Sequence, residues 1–497
     1  MNLSSYTRSL VRSFTGLLLA VSTCTCAASG FDAAQPLGHN LFGAFPGGFY
    51  QAGTMTMPAT APIMAHHPEN PKLRVAAIAE DASENQFQAG ATVLVYSHDG
   101  GNNWKKVDNS FLASSFQSYS VRAITYSKKG TVVLYGDFTD GAKGGIFVST
   151  STDAGKSWKT PQVLATGEAL LSQNSTGFSV DAGDIAFDPA NGQNLYQIYS
   201  KTQNPKTYFG DLYLSSSQDL GKSWSQVKKI YSVTQDFYTR FNRLGGGQCI
   251  APVLSFVKQD RKSAICAAFL RIYPNNSNCY SQNIADEKSG IDPSNNQCTA
   301  NLDNSIFDRA VVYSLDGGKT WEEHAVLVAP LDNSRLAVAF DPSARERVGI
   351  HTFDSSLGTS LAVDEKNGIL YMVWQAGHNS DTRELQEQPQ IWLSFSKNMG
   401  LTWSHPEVVS QTSKAFTSKK ANPNDQAFGP RLFVAEDGLI GITYYDYRHN
   451  KSGSQTIATD AWLAEFHLNQ DRTAVELIRE TRLTAKSFDS SPCFSAK

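Results

Sequence analysis

The stretch YYDYR, residues 444–448, sets a tyrosine, an aspartate and an arginine at the end of a β-like segment. A tyrosine beside a carboxylate can act as a nucleophile, and a carboxylate can give or take a proton. Tyr445 and Asp446 are therefore candidates for nucleophile and acid/base, and Arg448 for an anion contact. Further arginines stand at comparable places. Arg122 and Arg431 open β-like segments, and Arg271 and Arg448 close them. A cluster of guanidinium groups can clamp an anionic group, and loop salt bridges are the bland alternative. Asp81, Asp137 and Asp184 fall at similar heights in their units. Asp81 is the second acid/base candidate and Asp184 a substrate contact, with turn capping as the alternative. Arg240 and Arg243, among Phe237, Tyr238 and Phe241, can stack a sugar or pin their own loop.

Other clusters offer less. His66 and His67 lack a third ligand in the sequence around them, and no cysteine pair has zinc-ligand spacing, so no metal site is predicted. The GGG at 245–247 lacks the strand–loop–helix setting of a phosphate loop, and no cofactor is expected.

These residues need a scaffold, and the sequence repeats one. SHDGGNNW (97–104), STDAGKSW (151–158), SQDLGKSW (217–224) and SLDGGKTW (314–321) share the pattern S-x-D-x-G-x-[S/T/N]-W. A fifth copy, SKNMGLTW (396–403), has Asn398 in place of Asp. Repeats of this period mean arrays, propellers or solenoids. Around each copy lie β-like segments of alternating apolar and β-branched residues, such as VRAITYSKKGTVVLYGDF (121–138) and SLAVDEKNGILYMVWQAG (360–377). Four strands per unit make the blade of a β-propeller. The spacing predicts an all-β chain of six four-stranded blades, the last without the turn motif. Five copies of a catalytic loop make no chemical sense, so the motif is read as a turn between the third and fourth strands. Its glycine suits positive φ, its Asp caps the turn, and its Trp packs between blades.

The chain has 497 residues, 41% hydrophobic and 18% charged, with a net charge of -3. That balance supports a large core and gives no case for nucleic acid. No apolar segment beyond the N-terminus is long enough to span a bilayer. Arg8, Arg12, GLLLAV (16–21) and the small residues of CTCAAS (24–29) form a secretory signal pattern. The predicted organisation is a signal peptide at 1–28, a linker at 29–44, the propeller at 45–490 and a tail at 491–497. Export to a periplasmic or extracellular space is expected, with a lipid-modified Cys24 as the alternative. In that setting the short separations favour Cys249–Cys266 and Cys279–Cys298 pairs, leaving Cys493 over. Asn174 and Asn450 begin glycosylation sequons.

The repeated turn is similar to the Asp box of the sialidase-like propellers, and the resemblance covers about residues 45–490. It implies a six-bladed propeller. In that family an F/Y-R-I-P motif on the first strand supplies one arginine of a three-arginine carboxylate clamp, with an Asp acid/base and a Tyr–Glu nucleophile. The corresponding stretch here is ATAPIM (59–64), and Ala61 stands at the arginine's place. A methyl group does not replace a bidentate Arg–carboxylate pair. Tight turns fall on one predicted face and long connections, such as 80–90, 232–248, 272–305 and 329–358, on the other. The long-loop face is the expected functional one. Two readings follow, for a monomer. One is a glycoside hydrolase or divergent exo-sialidase. The other is a non-catalytic propeller that binds a glycan or a protein. Arginines that converge on one anion would favour the enzyme, and arginines each held by its own carboxylate would favour binding.

Overall fold

The computed structural model describes residues 49–52, 55–80, 92–168, 178–203, 210–236, 247–259, 262–274, 305–330, 358–377, 389–412, 424–451, 454 and 456–489. Nearly all regular structure is β. The first run holds β1 (Phe49–Ala52), β2 (Met55–His67), β3 (Asn70–Glu80), β4 (Thr92–Ser97) and β5 (Lys105–Lys106). The second holds β6 (Ser118–Tyr126), β7 (Val132–Asp140), β8 (Lys143–Ser151) and β9 (Gln162–Glu168). Then come β10 (Phe178–Phe187), β11 (Leu195–Gln203), β12 (Gly210–Ser217) and β13 (Lys228–Tyr231). The fourth run is β14 (Gln248–Gln259), β15 (Lys262–Pro274), β16 (Ser305–Ser314) and β17 (Val326–Pro330). The fifth is β18 (Thr359–Asp364), β19 (Ile369–Gly377), β20 (Pro389–Ser396) and β21 (Glu407–Val408). The last is β22 (Ala427–Val434), β23 (Ile440–Asp446), β24 (Ala458–Leu468) and β25 (Val475–Arg482), with β26 (Phe488–Asp489) also on β24.

The arrangement is a propeller of four-stranded antiparallel units, but hydrogen bonding yields four sheets and not six separate blades. The physical reason is local. A parallel pair between Glu168 and Ser179 ties β9 to β10, and another between Gly210 and Gln248 ties β12 to β14. Three runs thereby merge into one twelve-stranded sheet. The first strands stand side by side in chain order, β2 with β6, then β10, β14, β18 and β22.

The core lies in the seams. One cluster joins Val75 and Leu94 to Leu134 and Phe147, and the next joins Val133 and Tyr135 to Ile185 and Leu195. Tyr196 and Leu214 meet Ile265 and Ala310, Cys266 and Leu270 meet Met372 and Trp374, and Tyr371 meets Ile442 and Phe466. Because a central strand is covered on both faces, β19 reads ILYMVWQAG and is buried throughout.

All five repeats close as turns, after β4, β8, β12, β16 and β20. The Ser hydroxyl donates to the Asp or Asn oxygen in each, as Ser314 does to Asp316 at 2.9 Å. The amide of the glycine donates back to that hydroxyl at 2.8–2.9 Å in every copy. The hydroxyls of Ser223 and Thr320 lead the bonds that hold Asp219 and Asp316 down at about 2. The Trp packs as expected: Trp321 lies against the cluster shared by the third and fourth runs.

The turns also link neighbours. The residue before the glycine has positive φ, and in three copies its carbonyl accepts from the preceding run. His98 Nε2 donates to Ala154 O at 3.4 Å, Tyr196 OH to Gly317 O at 3.3 Å, and Cys266 Sγ to Met399 O at 3.4 Å. The last run has lost the motif, yet Lys397 Nζ donates to Arg472 O at 2.9 Å, and Arg472 has φ 54.

The expected Cys249–Cys266 disulfide is absent, and both thiols are free and buried. The register explains this. Cys249 pairs with Arg271 and Cys266 with Ser255, so the two stand roughly 20 Å apart along the ladder. A disulfide requires Cα atoms within about 7 Å. Cys279, Cys298 and Cys493 lie outside the described residues, as do residues 1–48. A reducing agent is therefore expected to leave Tm unchanged in a Cys279→Ser/Cys298→Ser background, and a drop would reveal a bridge through Cys249 or Cys266.

Candidate functional site

The structure disperses the predicted site residues. Tyr445 and Asp446 are successive residues of β23, and successive side chains of a strand point to opposite faces. Tyr445 is half-buried, stacked on Phe428 with centroids 5.9 Å apart and edge-on to Phe488 at 6.0 Å. Burial pushes its hydroxyl up, and Arg431 partly opposes this. Asp446 is fully buried on the other face. It accepts from Trp462 Nε1 at 2.8 Å, from Thr412 Oγ1 at 3.0 Å and from Arg448 Nε. Burial raises its pKa, and Arg448 opposes the shift. These bonds tie Asp446 to Thr412 after the fifth run's last strand and to Arg448 and Trp462 of the sixth.

Arg448 is equally engaged. It meets Glu480 through Nη1 at 2.6 Å and Nη2 at 2.9 Å, and lies 3.8 Å over the Trp462 ring. Burial works against its charge, but Glu480 and Asp446 outweigh it.

Arg271 is 4% exposed. It forks onto Asp308 with both bonds at 2.7 Å and reaches Tyr231 OH at 3.1 Å and Asp236 at 3.2 Å. Arg122 is exposed and bonds Asp137 at 2.5 Å. Asp184 accepts from the amides of Ile185 at 2.8 Å and Leu254 at 2.9 Å. Asp81, Arg240 and Arg243 lie outside the described residues.

Arg431 differs from the other arginines. It follows a bulge in β22, where Gly429 has φ 67 and the register with β23 shifts between Phe428 and Arg431. Its only described hydrogen bond is from Nη1 to Pro430 O at 3.4 Å, and among the described residues no carboxylate pairs with it. It is exposed to solvent, yet enough protein surrounds it that burial lowers its pKa, with Tyr445 opposing. A walled but reachable guanidinium beside Phe428 and Tyr445 is suited to an anionic or polar ligand.

Two histidine–aspartate pairs escaped the sequence reading. His449 Nδ1 meets Asp460 at 2.7 Å, and His324 Nδ1 meets Asp236 at 2.9 Å. Both carboxylates are fully buried. Burial opposes the charge of Asp460, but Arg482, Thr484, His449 and Ser487 outweigh it. His449 follows the YYDYR stretch by one residue, and its partner becomes visible only once β23 is paired with β24. Asn450 is buried, with its amide on Asn424 and Ala458. His66 and His67 sit at the end of β2, with the His67 ring 5.8 Å from Tyr126. Among the described residues no three side chains could hold a metal ion, and no helix is long and apolar enough to cross a membrane.

The family model of the BNR/Asp-box repeat matches residues 312–323. No curated protein matches the sequence. Among solved structures, the chain is similar to the α-L-arabinofuranosidase Arb93A from Fusarium graminearum. That match is 15% identical, covers 78% of this chain and 88% of that one, and has a TM-score of 0.44. It is also similar to the Hadza microbial sialidase Hz136, at 12% identity over 84% and 68% of the two chains, TM-score 0.40. The Trypanosoma rangeli sialidase matches at 14% over 78% of this chain and 52% of that one, TM-score 0.39. Likenesses at these TM-scores fix neither activity nor substrate. The protein is an all-β propeller that carries the BNR/Asp-box repeat, the feature by which it resembles the sialidase-like propellers.

Proposed function

We propose that the protein is an exported, glycan-directed propeller that binds its ligand without cleaving it. In this reading each four-stranded run acts as one blade of six. The observation that carries it is the dispersal of the arginines. Arg122, Arg271 and Arg448 each meet a carboxylate of their own, and Asp446 is buried behind Arg448. No described acid and nucleophile face a common space. Arg431, beside Tyr445, is then the anion contact, with the half-buried Tyr445 ring available for sugar stacking. Ala61, at the place of the family's first-strand arginine, agrees with binding in preference to sialoside hydrolysis.

The test pairs a glycan array with a panel of fluorogenic glycosides, sialosides included. The mature chain is expected to bind acidic glycans and to turn over none of the glycosides. Arg431→Ala is expected to weaken binding by about 10–100-fold, the size of a lost charge-assisted hydrogen bond. Turnover of any glycoside would return the protein to the enzyme reading.

A further inference from the structure

We propose that Asp184 is a proton-operated latch between the third and fourth runs, tighter in acid than at neutral pH. The two first strands touch there. Both bulge, β10 between Ala182 and Asp184 and β14 between Ile250 and Val253. A Cβ on Gly183 would stand 2.5 Å from Pro252 Cγ and 2.6 Å from Pro252 O, so the backbones are in contact. Ala251, just before that proline, has φ 49, a conformation other residues than glycine rarely hold. Just past the bulge, Leu254 stands opposite Ala267 in the ladder, and its amide donates to Asp184 Oδ2 at 2.9 Å. Asp184 Oδ1 takes the amide of Ile185 at 2.8 Å.

The fifth and sixth runs carry the same joint with different chemistry. Ala251-Pro252-Val253-Leu254 in β14 corresponds to Gly429-Pro430-Arg431-Leu432 in β22. There the amide of Leu432 donates to Ser360 Oγ at 3.1 Å. One seam is closed by a hydroxyl, which does not titrate. The other is closed by a carboxyl that pairs with no cation among the described residues. The charged residues on the strands around β10 are Arg122, Asp137, Asp140, Lys143, Glu168, Lys201 and Lys258, with Asp181 on β10 itself. Arg122 is held by Asp137, and among the described residues none of these forms an ion pair with Asp184. The tyrosines and Cys249 of those strands ionise far above the range concerned.

A desolvated carboxylate without a counter-charge disfavours its charged form. Burial accordingly raises Asp184 to about 6, against the two amide bonds. The sign follows. An opened seam releases Asp184 to water and an ordinary carboxylate value near 3.9. The closed seam therefore holds more protons between pH 4 and 6, and closure weakens as pH rises through that window. A difference of about two pKa units corresponds to about a 100-fold change in the opening equilibrium.

Native-state hydrogen exchange on the full mature chain tests this, with intrinsic rates divided out. Protection of the Leu254 amide should fall by up to about 100-fold from pH 4 to pH 7. The Leu432 amide, closed by Ser360, is the internal control and should hold constant. Asp184→Ser copies the other seam and Asp184→Asn keeps the shape, and either should flatten the Leu254 profile. Equal pH dependence at Leu254 and Leu432, or a Leu254 profile that survives both substitutions, overturns the proposal.

Discussion

Replacing Arg271 by methionine is expected to cost about 3–5 kcal/mol, the usual penalty for removing one partner of a buried ion pair. The guanidinium lies between Asp308 and Asp236, which are 3% and 0% exposed, and methionine removes from a dry site the cation that both carboxylates share. Burial works against the charge of Arg271, but Asp308 and Tyr231 hold it above its ordinary value. The control is Arg122→Met. Its ion pair with Asp137 is solvent-exposed, and such pairs contribute less than about 1 kcal/mol. Urea unfolding of the two variants separates the cases. A cost below about 1 kcal/mol for Arg271→Met would mean that water reaches the cluster and that Arg271 is open to ligands after all.

The second large effect is expected at Gly155. Alanine there should cost about 2–4 kcal/mol, from a backbone held at φ 89 and a methyl group forced into its neighbour. The added Cβ would stand 2.3 Å from Val75 Cγ2, a side chain of the preceding run that is 0% exposed. Gly317→Ala is the comparison. Gly317 has φ 72 with nothing within 4 Å, and its position is held by Ala154, Leu220 and Met399 in other copies of the turn. That change should cost no more than about 1 kcal/mol. Thermal unfolding of both variants checks the contrast. Equal losses would show that the turn's own conformation, and not its contact with the previous run, sets the cost.

The Asp boxes made the propeller legible because their chemistry is local. Each places donors and acceptors within seven residues, so spacing alone identifies it. The number of sheets was not legible, because it depends on single parallel pairs at Glu168 and Gly210. The turn around Asn469 does the work of a sixth box without its sequence. Asn469 Oδ1 accepts from the Thr473 amide at 2.8 Å, but no Ser, Gly or Trp marks the place. The candidate site was the least legible part. Tyr445 and Asp446 look like partners because they are adjacent, and adjacency in a strand separates them. Arg271, Asp308, Asp236 and His324 come from four distant segments, and only the register between β15 and β16 brings Arg271 opposite Asp308.

Amides such as Leu254 and Leu432 donate back to an earlier run, but the linkages that end on turn carbonyls point one way along the chain. His98, Tyr196, Cys266 and Lys397 each donate forward, to a carbonyl that a later run supplies. A ribosome releases the donors first and the acceptors afterwards. A fragment that stops after the first, third, fourth or fifth run presents a donor still waiting for its carbonyl, and one that starts at the next run presents a carbonyl without its donor. The two kinds of cut surface are complementary. Fragments divided in the turns between runs should therefore reassemble in trans with their original order preserved, and a new pair of chain ends would be tolerated best where no such bond crosses.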